Sequence, residues 1–279
     1  AIPYVVKPDE IVPGVATYYA SSYVEGGDYC SVIVKTREGR PIKVEGNTLS
    51  PVSKGGTSAR VQASVLSLYD TNRLRGPKMK NGSSWDDISW EDVDKKVKDQ
   101  VAKGGAVRIL SHTQMSPSVK KLVAEWASNG VDVKWVSYDP VSSAAMLDAN
   151  EANFGIRAVP NYHFDKADYI VSFNADFLGT WVSPVEYAAQ YAKNRKIKDV
   201  KNAKMSRHIQ VESHMSLSGS NADNRILVKP SEQGAAILAL YNALARSMGA
   251  STINGPQVNE KAAANLKKVA DELVQHKGK

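Results

Sequence analysis

From about residue 105 onward, the sequence alternates short β-branched runs with longer amphipathic stretches. Val107-Arg108-Ile109-Leu110, residues 131–136 and Tyr169-Ile170-Val171-Ser172-Phe173 are predicted strands, and residues 208–212 and 225–228 continue the series. Strands that alternate with helices pair in parallel, because each connection returns through a right-handed crossover. The alternation therefore predicts an α/β fold with a doubly wound, mostly parallel sheet.

Helix start signals support this alternation. Ser116 stands directly before Pro117, a pair that is typical of an N-cap followed by the first helical residue. Ser231 and Asn259 are predicted to cap two later helices, because short polar side chains accept hydrogen bonds from the first free amides. The predicted helices cover residues 116–128, 142–153, 184–193, 231–248 and 259–276.

The first 75 residues have a different pattern, which predicts a small β-rich lobe. Residues 31–35 and 41–44 are β-branched runs, and the connecting Arg37-Glu38-Gly39-Arg40 is typical of a hairpin turn. Ser58 is a predicted helix cap, because apolar residues recur at helical spacing after it. These apolar residues are Val61, Val65 and Leu68.

Gly76-Pro77 separates the two patterns. We predict a β-rich lobe over residues 1–75 and a Rossmann-like α/β domain over residues 76–279, which we expect to be incomplete at its C-terminus. The 279 residues suffice for one or two domains with a substantial core, since 42% of them are hydrophobic.

The formal net charge of +7 raises the question of a nucleic-acid partner. The densest basic run, within residues 193–204, lacks the interleaved aromatic side chains on which bases would stack. We therefore predict a solvated or protein-docking surface there and no nucleic-acid partner. The longest apolar stretch, residues 235–245, is interrupted by Tyr241 and Asn242, so we predict no transmembrane helix.

Several polar clusters could carry chemistry, and each has a simpler interpretation. His208 and His214 are a candidate metal pair, but we predict structural or surface roles for all the histidines. The serines near His214 lack the Gly-x-Ser-x-Gly elbow of hydrolases, which predicts a polar loop. Asn81-Gly82-Ser83 is a glycosylation sequon, and we predict a turn. The remaining histidines are His112, His163 and His276, and the serines are Ser216, Ser218 and Ser220.

Cys30 is the only cysteine in the chain. It permits no internal disulfide, and a cubane four-iron cluster normally needs four thiolates. Because Cys30 lies at the head of a predicted strand, we predict a small buried residue there.

The surroundings of Cys30 nevertheless resemble the N-terminal lobe of the molybdopterin oxidoreductases, where four cysteines hold a four-iron cluster. Gly39-Arg40 and residues 42–47 follow Cys30 as they follow the third cysteine of that family. The resemblance places the first two ligand positions at Tyr23 and Gly26. It therefore implies that neither of these ligands is present.

The resemblance continues through the predicted helix after Ser58. Residues 62–70 are similar to the segment that follows the fourth cysteine in the family, and this places Ser58 at the cysteine position. Arg60 matches a basic residue that is credited there with relaying electrons to the pterin. The resemblance thus implies a relay position without its cluster.

A closer resemblance is to the large iron-sulfur subunit of alternative complex III, a bacterial quinol-oxidising complex. Residues 51–65 and 165–181 carry it. It implies a periplasmic position on the bacterial inner membrane, with multihaem and monohaem cytochrome c subunits and integral membrane quinol-binding subunits as partners. It also implies that the iron-sulfur clusters lie in a C-terminal ferredoxin-like region outside these residues.

Two loops bear on a dinucleotide cofactor. Residues 111–116 lack the glycines that let a backbone approach a pyrophosphate, so we predict no Rossmann cofactor. Residues 222–233 resemble a segment by which molybdopterin enzymes hold a guanine dinucleotide. Here Ser231 replaces a glycine, and Gln233 replaces the aspartate that recognises guanine in the family.

We predict no catalytic, cofactor-binding or metal-binding residue in this chain and expect molybdopterin to be absent. The preferred hypothesis is a catalytically silent scaffold segment in a respiratory electron-transfer complex of the quinol:cytochrome c or quinol:terminal oxidase type. The alternative is an active molybdenum bis-pterin oxidoreductase subunit that lost its N-terminal cluster. An independent small-molecule binder on a doubly wound sheet is a third, weaker hypothesis.

Overall fold

The computed structural model describes residue 6 and residues 8–25, 28–197 and 199–278, without the side chain of Asp28. The chain divides into two compact units. Unit 1 comprises Ala1–Val65 and Asn161–Lys279, and unit 2 comprises Leu66–Pro160. The domain boundary predicted near residue 75 stays a prediction.

The elements follow in chain order. The described strands are β1 (Thr17–Glu25), β2 (Asp28–Arg37), β3 (Arg40–Gly46), β4 (Lys78–Asn81), β5 (Ser84–Asp87), β6 (Ala106–Ser111), β7 (Asp132–Ser137), β8 (Tyr169–Phe173), β9 (Arg207–Glu212) and β10 (Asn224–Leu227). The described α-helices are α1 (Ala59–Ser67), α2 (Trp90–Ala102), α3 (Pro117–Ser128), α4 (Ala144–Phe154), α5 (Pro184–Arg195), α6 (Leu217–Ser220), α7 (Gln233–Met248) and α8 (Glu260–Gln275). Phe164–Lys166 and Pro230–Glu232 are short 3-10 turns.

The β-rich part of unit 1 is an antiparallel sheet in the order β1-β2-β3. The predicted hairpin between β2 and β3 is confirmed, and Glu38 and Gly39 turn the chain with φ of 51° and 76°. Strand β1 was not predicted, because its residues show no regular alternation of apolar and polar side chains, and most of them are exposed. It is an edge strand of the sheet.

The α/β part of unit 1 is a parallel sheet in the order β10-β9-β8 with helices on both faces. Ile209 and Val211 pack in a cluster with Leu266 of α8 and with residues of α7. Ile170 lies in a separate cluster with Tyr187 of α5. The predicted α/β fold with doubly wound parallel pairing is confirmed here.

Unit 2 contains the β4–β5 hairpin and the alternating series α2, β6, α3, β7 and α4. Strands β6 and β7 form their own two-stranded parallel sheet. The β4–β5 strands were not predicted, but the turn at Asn81-Gly82-Ser83 is confirmed, with Gly82 at φ 57°.

The cap predictions depend on local hydrogen bonds. Ser116 accepts from the Val119 amide, and Asn259 accepts from the Ala262 amide, so both predicted caps are confirmed. The Ser231 cap is wrong, because Pro230–Glu232 forms a 3-10 turn and the α-helix begins only at Gln233. Among the described residues, no helix is both long enough and apolar enough to cross a bilayer.

Candidate functional site

The first candidate site is the place where the resemblance puts an iron-sulfur cluster. Cys30 lies in β2, is 1% exposed and belongs to an apolar cluster, so its predicted burial is confirmed. Tyr23 stands opposite Cys30 in the β1–β2 pairing and packs against the same cluster. Gly26, the other implied ligand position, lies outside the described residues. The buried members besides Cys30 are Val32, Val44 and Val61.

Ser58, the implied fourth ligand position, caps α1. Its Oγ accepts a hydrogen bond of 3.3 Å from the Val61 amide. The preceding loop packs on α5, since a Cβ atom at Gly56 would come within 2.9 Å of Val185 Cγ1. Arg60, at the implied relay position, is exposed. The loop and cap are thus used for packing and helix initiation.

The second candidate site is the carboxyl end of the parallel sheet in unit 1. Ligands of open α/β sheets bind outside the carboxyl ends of the strands. Here three segments follow β8, β9 and β10, at residues 174–179, 213–219 and 228–233; the second includes the first residues of α6, and the third includes the 3-10 turn and the first residue of α7. We call these three segments, at the carboxyl ends of the strands, the sheet-edge site.

Asp176 joins the β8 loop to the β9 loop. Its Oδ1 accepts hydrogen bonds from the Ser218 amide at 2.8 Å and from the Ser218 hydroxyl at 2.9 Å. The Ser218 hydroxyl, which is buried, also accepts from the Leu178 amide at 2.9 Å. A Cβ atom at residue 179 would come within 2.1 Å of Asp176 Oδ2, so Gly179 leaves room for the carboxylate.

Glu212 ends β9 and is 1% exposed. Its carboxylate accepts hydrogen bonds of 2.6 Å from the Ser216 hydroxyl and from Arg225 Nε. Burial raises the pKa of Glu212, but the bonds from Ser216 and Arg225 outweigh burial and lower this pKa overall. Gly219 is required nearby, because a Cβ atom there would come within 1.9 Å of Glu212 Oε1. The buried carboxylate is therefore ionised at pH 7 and bonded to its own chain.

His208 lies near the start of β9 and is fully buried. Its Nδ1 is 3.1 Å from the Tyr191 hydroxyl, and its Nε2 is 3.1 Å from Gln210 Oε1. Burial lowers the pKa of His208, so the ring is neutral at pH 7. The His208 amide donates to Asp223 at 2.7 Å, and Asp223 forms a two-point ion pair with Arg195.

The loop after β10 contains the positions that the resemblance links to a guanine dinucleotide. Gln233 Nε2 donates to the Ser213 hydroxyl at 3.1 Å, which joins this loop to the β9 loop. Glu232 accepts from the Lys229 amide at 3.2 Å and from Asn259 Nδ2 at 3.1 Å. The polar side chains of this loop therefore stabilise the turn and the start of α8.

The structure separates the candidate metal pair. His208 is buried within β9, whereas His214 is exposed beyond its end. The predicted polar loop is wrong for Ser218 and Ser220, which lie in the short helix α6, whereas Ser216 is the N-cap of this helix. Ser216 and Ser218 donate to carboxylates. Within the part of the chain that the structure describes, no group of three or more His, Cys, Asp or Glu residues could hold a metal ion.

Sequence reasoning missed the two carboxylates that organise the sheet-edge site. Asp176 and Ser218 are 42 residues apart, and Glu212 and Arg225 are 13 residues apart. The available signal was positional, because both carboxylates follow or end a predicted strand. Side chains at the ends of neighbouring parallel strands meet at one edge of the sheet.

Two known proteins are similar to this chain. A menaquinone reductase, molybdopterin-binding-like subunit, of Nitratidesulfovibrio vulgaris is 23% identical over 228 residues, which cover 79% of this chain and 32% of that protein. The acetylene hydratase from Pelobacter acetylenicus matches the structure with a TM-score of 0.53 and 16% identity, covering 87% of this chain and 34% of that one. The fold is molybdopterin oxidoreductase-like.

No protein-family model matches the sequence. The chain spans about a third of each of the two similar proteins, at 32% and 34% of their lengths. The two similarities support the resemblance to the molybdopterin oxidoreductases. The finer assignment to alternative complex III stays a prediction.

A molybdopterin oxidoreductase-like fold implies two groups, a four-iron cluster and a pterin dinucleotide, and the residues at the two candidate sites can be compared with the chemistry of each. A four-iron cluster needs thiolates, and three of the four implied ligand positions are Tyr23, Gly26 and Ser58. A pterin dinucleotide carries a diphosphate, which favours free amides and cations. The sheet-edge site instead presents the carboxylates of Asp176 and Glu212, and these already bind the nearby donors.

Proposed function

We propose that residues 1–279 form a catalytically silent scaffold in the iron-sulfur subunit of a respiratory complex of the alternative complex III type. One observation carries this proposal. At the sheet-edge site, where a dinucleotide would bind, the carboxylates of Asp176 and Glu212 accept hydrogen bonds from Ser216, Ser218 and Arg225 of the same chain. Donors that bind an internal carboxylate are not free for a phosphate, and the carboxylate repels a second anion.

The implied cluster position supports the same proposal. Cys30 is enclosed by valine side chains, and Ser58 is engaged as a helix cap. Both positions contribute to the packing of the small lobe. A scaffold needs such packing, whereas a cluster site needs thiolates that surround a cavity.

The similar menaquinone reductase subunit supports a setting in respiratory electron transfer. In the proposed complex, quinol is oxidised in integral membrane subunits, and electrons reach multihaem and monohaem cytochrome c subunits. The iron-sulfur clusters lie in a ferredoxin-like region of the same subunit outside residues 1–279. The subunit is held peripherally on the periplasmic side of the bacterial inner membrane.

The test is a cofactor analysis of the intact subunit that contains these residues. We expect iron without stoichiometric molybdenum, tungsten or pterin, with the metals measured by elemental assay and the pterin by fluorescence after oxidation. A Cys30→Ala variant is expected to retain the full iron content, because Cys30 ligates no cluster in this proposal.

Stoichiometric metal and pterin would overturn the scaffold proposal and favour the active molybdenum oxidoreductase. Loss of iron in the Cys30→Ala variant, while far-UV circular dichroism stays unchanged, would show that Cys30 is a ligand. That result would also contradict the proposal, because it would restore a redox centre to these residues.

A further inference from the structure

The antiparallel β1-β2-β3 sheet has two edge strands that differ in their protection. An edge strand presents unpaired amides and carbonyls, and proteins block such edges with charged residues or proline. Strand β3 carries Arg40, Pro41, Lys43 and Glu45 within seven residues. Strand β1 has nine residues, no proline, and no charged residue before its last position, Glu25. The β3 edge is therefore protected against strand addition, whereas the β1 edge is not.

Every second residue of β1 directs its backbone groups away from β2. The Ser31 carbonyl accepts a hydrogen bond of 3.0 Å from the Asn47 amide, so Ser31 of β2 directs its backbone groups towards β3. Ser22 stands opposite Ser31, and in an antiparallel ladder the amide and carbonyl of such a residue point to the other side. Among the described strands, only β2 pairs with β1. The same alternation applies to Tyr18, Ala20 and Val24.

The large side chains of β1 are arranged symmetrically about Ser21. Tyr19 and Tyr23 each lie two residues from Ser21, and Tyr18 and Val24 each lie three residues from it. Tyr18, Tyr19 and Val24 are each more than half exposed. A strand with this symmetry is self-complementary when it pairs antiparallel with itself.

We infer that β1 pairs antiparallel with β1 of a second copy of the chain, with the two-fold axis at Ser21. This register pairs all the outward backbone groups, because Tyr18 then lies opposite Val24 of the second copy and Ala20 lies opposite Ser22 of the second copy. The inference does not depend on whether the scaffold is catalytically silent.

The side chains that this register brings together are compatible. Tyr19 lies opposite Tyr23 of the second copy, and cross-strand pairs between two aromatic residues or between an aromatic and a β-branched residue stabilise a sheet. Glu25 lies opposite Thr17 of the second copy, so no like charges face each other. An isologous contact requires one self-complementary patch, which β1 provides.

The protection of β3 limits the assembly to two copies. Pairing consumes the β1 edge of each copy, and the six-stranded sheet that results has β3 at both ends. These ends carry the charged residues and the proline that oppose further strand addition. The contact is therefore closed and does not lead to fibres.

The test measures the dimer dissociation constant of the intact subunit that contains these residues, by analytical ultracentrifugation over a wide range of protein concentrations. We expect a reversible dimer. Ser21→Lys and Ser21→Glu are each expected to raise the dissociation constant at least about threefold, because they place like charges opposite each other on the axis. An equimolar mixture of the two variants is expected to restore the dimer, since it pairs opposite charges.

Leu49→Lys is the matched control, because it adds the same charge as Ser21→Lys at a position that is 88% exposed and lies outside the strands. It is expected to leave the dissociation constant unchanged. Far-UV circular dichroism verifies that each variant keeps its fold.

Three results would overturn the inference. The first is a parent subunit that stays monomeric at every concentration. The second is a dimer that neither substitution at Ser21 weakens, or whose loss the mixture does not reverse, since both would place the contact elsewhere. The third is protection of the β1 amides from hydrogen exchange only when a different subunit is added, which would assign the edge to a strand of that subunit.

Discussion

Strand β9 shows how single residues depart from what their sequence pattern predicts. Its residues alternate polar and apolar, a pattern typical of a strand with one solvated face. Yet His208, Gln210 and Glu212 are all buried beside Ile209 and Val211. Burial of polar groups costs free energy unless each finds a partner, and the three polar side chains have such partners.

The buried imidazole gives the protein a pH-dependent stability. Because the pKa of folded His208 lies below its ordinary value of 6.5, the unfolded chain binds the proton more tightly. The free energy of unfolding is thus fully retained above about pH 6.5 and falls below it, by up to about 1.4 kcal/mol per pH unit. Urea unfolding between pH 5 and 7 measures this slope.

We expect a His208→Asn variant to lose most of this slope, whereas His214→Asn, at an exposed position, keeps it. The carboxylates of Asp223 and Glu212 have lowered pKa values. They change the free energy of unfolding when the pH falls below their ordinary pKa values of 3.8 and 4.5. This range lies below the range of pH 5 to 7 in which the slope is measured. An unchanged slope in His208→Asn would show that the pH dependence of the free energy of unfolding does not come from His208.

At the scale of elements, helix starts depend on a few local hydrogen bonds. Asn259 caps α8 with a bond of 3.0 Å to the Ala262 amide, and it also donates to Glu232. Ser231 has the sequence context of a cap but lies in the 3-10 turn before α7. The proline at residue 230 favours this turn, since its fixed φ suits a tight start.

Substitutions at Asn259 and Ser231 make a matched pair, since Asn259 caps a helix and Ser231 does not. We expect Asn259→Ala to lower the free energy of unfolding by about 1 kcal/mol, because the first amides of α8 lose their acceptor. Ser231→Ala is expected to stay within about 0.5 kcal/mol of the parent protein. Urea unfolding followed by far-UV circular dichroism measures both, and equal losses would show that Ser231 acts as a cap.

At the scale of the whole molecule, the two units differ in how much apolar surface they bury. Unit 1 holds three clusters of buried residues, and unit 2, in residues 66–160, holds no buried residue. Stability follows the buried apolar area. The 279-residue chain should therefore unfold in two steps, with unit 2 first.

Tryptophan fluorescence can distinguish the unfolding of unit 2 from that of unit 1. Only Trp181 lies in unit 1, where it packs against Tyr162 with ring centroids 5.0 Å apart. We expect the main fluorescence change to occur at lower urea concentration than the main loss of circular dichroism. Trp181→Phe should leave this early change intact, and coincident transitions would contradict two-step unfolding. Unit 2 contains Trp85, Trp90, Trp126 and Trp135.

Elements whose signals are local could be predicted from the amino-acid sequence alone. The caps at Ser116 and Asn259 and the hairpin turn at Gly39 involve groups within three or four residues, so they could be predicted. The strands β8 and β9 carry enough β-branched residues to be recognised without their partners. The burial of Cys30 followed from its place in such a strand.

The pairing of these elements and the side chains that fill the sheet-edge site depend on tertiary contacts. The parallel strands divide between two sheets, and edge strand β1 forms only because β2 offers it a hydrogen-bonding partner. The contact between Asp176 and Ser218 spans 42 residues and depends on the conformation of two loops. Local propensity does not encode such contacts, because they form only when distant loops are brought to the same edge of a folded sheet.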